Sequence, residues 1–114
     1  MQRPRAPATL DRMARRQLVI LSRQSDKDGG LAPLGARKDL EEALSLRNTA
    51  AERAGGHVLY GPGIELELPP EQDPVLQMLL TVSDEDIAWS VILRLAREMQ
   101  WKILDPSTGR ELSP

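Results

Sequence analysis

One run of the chain, LTVSDEDIAWSVILRLAREMQWKILDP from Leu80 to Pro106, restricts the possible folds more than any other. It holds the end of an apolar strand, a helix start, a long helix and a second strand, with almost nothing between them. A helix joined so closely to two strands has to lie back across a sheet. Ser83 with Asp86 three residues later reads as an N-cap, and Asp84 to Asp86 put negative charge where the helix dipole favours it. At about 100° per residue from Ile87, the residues Val91, Leu95, Ala88, Met99 and Ile92 fill one arc, and Trp89 and Leu93 widen it to roughly 240°. Only Ser90, Arg94 and Arg97 form a clean polar strip. That arc is wider than one sheet covers, so the helix is expected to touch a second element as well, either another helix or a second copy of the chain. Trp89 and Trp101 supply bulk in a chain that has no phenylalanine.

Upstream lie two more strand signals. HVLYGPGIELEL breaks at Gly61-Pro62-Gly63 and then alternates, with Ile64, Leu66 and Leu68 on one face and Glu65 and Glu67 on the other. PPEQDP reads as a turn. VLQMLLTV, from Val75 to Val82, puts Leu76, Met78, Leu80 and Val82 on a wholly apolar face, and Val75, Gln77, Leu79 and Thr81 on a mixed one. One wholly apolar face predicts a central strand covered by helices on one side.

Before these, Asp39 with Glu42 resembles a capping box. Leu40, Ala43, Leu44, Ala50, Ala51 and Ala54 give a helical stripe that Gly55-Gly56 ends. SDKDGGLAPLG, Ser25 to Gly35, is a linker by its Gly, Pro and Asp content. Residues 10–23 fit two descriptions. Leu10, Met13, Ala14, Leu18 and Leu21 recur at helical spacing, whereas Leu18-Val19-Ile20-Leu21 running into a turn-rich loop reads as a buried strand. The strand reading makes the whole chain βαββαβ, a two-layer α+β sandwich of ferredoxin-like plan. The helix reading makes it a helical hairpin leading into a ββαβ sheet. We favour the first. After Trp101 to Leu104, DPSTGR predicts a turn with Gly109 at positive φ.

At 114 residues the chain is one domain by length, read as a flexible basic arm over 1–16 and a folded unit over 17–114. It has no cysteine, which removes disulfides, thiol nucleophiles and zinc sites of the cysteine type, and fits the cytoplasm. No apolar run approaches the length of a membrane span, and the start lacks a cleavage-site pattern. Twelve arginines against three lysines, with Ala, Gly and Pro plentiful, read as the codon bias of a GC-rich bacterial genome. Residues 1–57 carry a net +4 and residues 58–114 a net −6, which recovers the overall −2.

Chemistry is hard to build from these residues. The single histidine, His57, stands beside Gly55-Gly56, and no serine lies in a GxSxG elbow, so no nucleophilic triad is legible. The acidic residues 84–86 splay around the helix and read as capping, and the glycines lack phosphate-loop spacing. No catalytic residue, cofactor or metal is expected. Binding has the better case. Val75, Leu79, Trp89 and Leu93 are apolar side chains in need of cover, from the N-terminal segment or else from a partner protein or a second copy. The alternatives are a small-molecule or enzyme site near His57 and Tyr60, and weak, salt-sensitive nucleic-acid binding through Arg3, Arg5, Arg12, Arg15 and Arg16. Nucleic-acid binding through the sheet is disfavoured, because the expected open face is acidic and lacks aromatics.

Overall fold

The computed structural model describes residues 15–25, 29–53 and 55–112. Within these residues the chain is a small α+β domain with one seven-stranded antiparallel sheet and two helices. Its elements in order are β1 (Gln17–Ser22), α1 (Arg37–Ser45), β2 (Ala50–Ala51), β3 (Val58–Gly61), β4 (Ile64–Glu67), β5 (Met78–Val82), α2 (Glu85–Met99), β6 (Trp101–Asp105) and β7 (Arg110–Leu112). Across the sheet the strands run β2-β3-β4-β5-β1-β6-β7.

The ambiguity at residues 10–23 resolves to a strand over the part described. Leu18 and Ile20 point into the core with no exposure, while Val19 between them points the other way. Period-two alternation has therefore replaced the helical stripe, which needed Leu18 and Leu21 on one face. β1 takes the middle of the sheet, antiparallel to β5 on one side and β6 on the other. Register then aligns the apolar face: Leu59 opposite Leu66, Leu66 opposite Leu80, Leu80 opposite Leu18, and Ile20 opposite both Met78 and Ile103. Leu40 and Leu44 of α1 and Ala88, Ile92, Leu95 and Ala96 of α2 close over this face as one cluster.

The first helix is shorter than the sequence suggests. It ends at Ser45, and Asn48 takes a left-handed φ of 61°, so the alanines expected to prolong the stripe form β2 instead. Asparagine tolerates that conformation and stops the helix well before Gly55-Gly56. Nor is Asp39 the cap. Ala36 stands at the N-cap without a side-chain bond, and Asp73 accepts the Arg37 amide at 2.9 Å from across the fold. In α2 the cap is Asp84, whose carboxylate accepts the Asp86 amide at 3.0 Å. Ser83, the expected cap, donates its amide to the Gly63 carbonyl at 2.8 Å. This ties the tip of the β3–β4 hairpin to the start of α2.

Two strands escaped the sequence reading, β2 and β7, both short and both at sheet edges. The strand expected over Val75–Val82 begins only at Met78. Ahead of it, Val75 pairs with Gly35 and is fully buried, whereas Leu76 is 44% exposed. Neither obeys the alternation of β5, because neither belongs to it.

α2 buries a narrower face than its apolar arc suggests. Ala88, Val91, Ile92, Leu95 and Ala96 are buried, Trp89 and Leu93 are half-buried, and Ile87 is 44% exposed. Trp89 packs against the core cluster under Arg16, whose guanidinium carbon stands 5.1 Å from the ring centre. The far end of α2 also meets α1's exit, through Arg47 on Glu98 at 2.9 Å. The neighbours that the wide arc called for are thus partly supplied from within the chain.

Candidate functional site

Both helices lie on one face of the sheet; on the other, Leu21 is buried, while Val19, Leu79 and Leu104 are half-buried. Alternation decides which side chains stand there. Across the middle run Val58, Glu67, Leu79, Val19, Leu104 and Glu111 in successive register. Tyr60, Glu65, Thr81 and Gln17 form the neighbouring row. Leu79, Val19 and Leu104 are half-buried and contiguous, so the face has an apolar centre with a carboxylate at each flank. Arg15 reaches Glu65 at 3.6 Å and Arg23 reaches Glu111 at 3.7 Å, while Glu67 has no ion pair among the described residues. Between β3, β4 and the start of β1 the face dips into a depression of about 460 Å³, lined by Arg15, Gln17, Val58, Tyr60, Glu65, Glu67 and Thr81.

Of the four side chains read as an interaction surface, only Leu79 stands on this face. Val75 is withdrawn into the core, and Trp89 and Leu93 belong to α2 on the other side of the sheet. The structure therefore does not gather the four into one patch. Val19 and Leu104 were missed, and Tyr60 was grouped with His57 instead. The first two alternate correctly within their own strands, but only the register reveals that they adjoin Leu79. Tyr60, 42% exposed, also corrects the expectation of a face without aromatics.

His57 and Tyr60 are separated by the same alternation. His57 shares the parity of buried Leu59, and Tyr60 that of Val58 on the open face. The imidazole Nδ1 accepts from Arg37 at 3.2 Å, and the same guanidinium donates to the Pro69 carbonyl at 2.7 Å and sits 3.3 Å from Glu41. These contacts fasten the 68–76 loop to α1. Tyr60 lines the open-face depression, and His57 is not among the residues that line it.

At the opposite end, Asp105 is buried on the helix side of β6 and gathers three close polar contacts. It accepts from the Ser107 hydroxyl at 2.7 Å, the Ser107 amide at 3.0 Å and Arg16 at 2.9 Å. The two Ser107 bonds, and after them Arg16, hold its carboxyl below the usual value, against the opposing effect of burial. Arg16, gripped by Asp105 and lying over Trp89, serves the fold. Arg15 is likewise tied to Glu65, so two of the five arginines assigned to a nucleic-acid arm contact the domain. Arg3, Arg5 and Arg12, with most of that arm, lie outside the described residues.

Among the described residues, no group of three His, Asp or Glu side chains is placed to hold a metal ion. No described helix is long and apolar enough to cross a membrane. Neither any family model, nor any curated protein, nor any solved structure matches the chain.

Proposed function

We propose that this chain is a binding domain that acts by holding another protein on the open face of its sheet. The observation that carries the reading is the contiguous, half-buried apolar row Leu79, Val19 and Leu104, flanked by Glu67 and Glu111. An apolar centre with a polar rim is how protein-binding surfaces are built. Side chains of this size, set on a rigid antiparallel scaffold, offer contact area at little entropic cost. Support for a ferredoxin-like plan comes from the four middle strands, β4-β5-β1-β6. Their order and antiparallel directions are those of a split βαβ, here enlarged by β2 and β3 at one edge and β7 at the other. A cysteine-free composition supports a cytoplasmic setting.

The test is a pair of single substitutions with equal changes in charge and bulk. Leu79→Arg alters the open face, and Leu46→Arg alters an exposed leucine just beyond α1. Proteins crosslinked to the tagged wild-type chain in its own cells should be retained by Leu46→Arg and lost with Leu79→Arg. Light scattering at working concentration separates a foreign partner from a second copy. If Leu79→Arg keeps every partner, the open face is not the binding surface.

A further inference from the structure

Resting on the open face as the binding surface, we propose that its occupant is a second copy of this chain, held face to face by reciprocal pairs between Glu67 of one copy and Lys102 of the other. The charges of the face carry the inference. Glu65, Glu67 and Glu111 stand on it with Lys102, and Arg15 and Arg23 reach it from the two ends of β1. Arg15 holds Glu65 at 3.6 Å and Arg23 holds Glu111 at 3.7 Å. Among the described residues that leaves one carboxylate, Glu67, and one ammonium, Lys102, without an ion pair. A strongly charged foreign partner finds no excess of either sign here, whereas a copy of the same face brings the missing member of each pair.

Register sets these two residues on opposite sides of the apolar row. Glu67 faces Leu79 from β4, and Lys102 faces Leu21 from β6, beyond β1. Three strand spacings of about 4.8 Å and an offset of two residues at about 3.3 Å put them about 16 Å apart. A two-fold axis midway between them, tilted from the strands and passing between β5 and β1, exchanges their positions. Each Glu67 then meets a Lys102, and the contact forms twice. The same axis sets Leu79 over the hollow bounded by Val19, Leu21 and Leu104 of the facing copy, so the apolar centres cover each other. It also brings Glu111 towards Glu65, and an arginine already holds each of those.

Size sets the strength of the association. The face runs from β3 across to β7. Six strands at about 4.8 Å, each about five residues long at about 3.3 Å, give about 500 Å² per copy and about 1,000 Å² in all. That is the lower limit for a specific interface, so the dimer forms and dissociates with concentration.

Analytical ultracentrifugation of the full chain, from micromolar to millimolar concentration, tests the proposal. The expected result is a mass that rises from monomer towards dimer. Glu67→Lys and Lys102→Glu each oppose like charges at both contacts and should weaken the dimer about tenfold. Combining the two substitutions in one chain should restore it. Mixing the two single variants should restore it as well, because their heterodimer regains both pairs. A chain that stays monomeric throughout overturns the proposal, as does a dimer that ignores both reversals or is not recovered by the mixture. The partner test with Leu79→Arg is read separately. A strict monomer that still loses its crosslinked proteins with Leu79→Arg keeps the binding face and rules out only the second copy.

Discussion

Gly63 is constrained both by its backbone conformation and by the space around it. Its φ is +74°, and a Cβ there meets Ile87 Cγ1 at 2.7 Å and the Asp84 carbonyl at 3.0 Å, where the hairpin tip presses on the start of α2. Gly109 has nearly the same φ, +75°, with open space around it. Conformation alone costs an alanine about 1 kcal/mol at either site. Gly63→Ala therefore loses roughly 2–4 kcal/mol in urea unfolding and Gly109→Ala about 1, the difference being the collision with α2. Equal losses would mean that the hairpin tip does not seat on the helix. Asp105 supplies a second residue-scale prediction. Its carboxyl is held below the ordinary 3.8, first by Ser107 and then by Arg16. A depressed folded value stabilises the fold in full above the unfolded value, and that contribution disappears as pH falls through the folded one. Ser107→Ala should narrow the gap between the two values. The melting temperatures of wild type and variant are then expected to differ at pH 7 and to converge below about pH 4. A gap unchanged down to pH 3 refutes the assignment.

Among the elements, long ones were legible and short or edge ones were not. The residues of α2 announce it through caps and periodicity, and the alternation of Ile64 and Leu66 announces β4. The end of α1 was hidden because alanine suits a helix and Asn48 is a weaker stop signal than the later glycine pair. Tertiary pairing with β3 decided that Ala50 and Ala51 form a strand. The candidate site was legible at one residue, Leu79. Its neighbours Val19 and Leu104 come from strands 60 and 25 residues away in sequence, and nothing local encodes that register. Asn48 itself is testable. With φ at 61°, Asn48→Gly is expected to be neutral or slightly stabilising, while Asn48→Val costs about 1–2 kcal/mol because a β-branched side chain resists the left-handed region. Urea midpoints for the two variants that coincide would place the helix stop elsewhere.

For the molecule as a whole, the question is whether the sheet really has one packed face and one open face. Leu79 and Leu80 are adjacent in β5 and chemically identical, yet Leu80 is wholly buried between Leu18 and Leu66 beneath the helices, while Leu79 is half-buried opposite Val19. Truncating a fully enclosed leucine removes its transfer energy and leaves a cavity that packed neighbours cannot close, so Leu80→Ala is expected to cost about 2–5 kcal/mol. Leu79→Ala leaves no enclosed void, and its cost should stay near 1 kcal/mol. The two variants share strand propensity and chain position, so those contributions cancel, and the difference between them measures the layer that α1 and α2 add. Denaturant unfolding of both proteins reads that difference directly. A large gap fits one face reserved for the core and the other left for a ligand. Equal costs would mean that the second face is packed as firmly as the first, and a surface already filled in that way has no place for a partner.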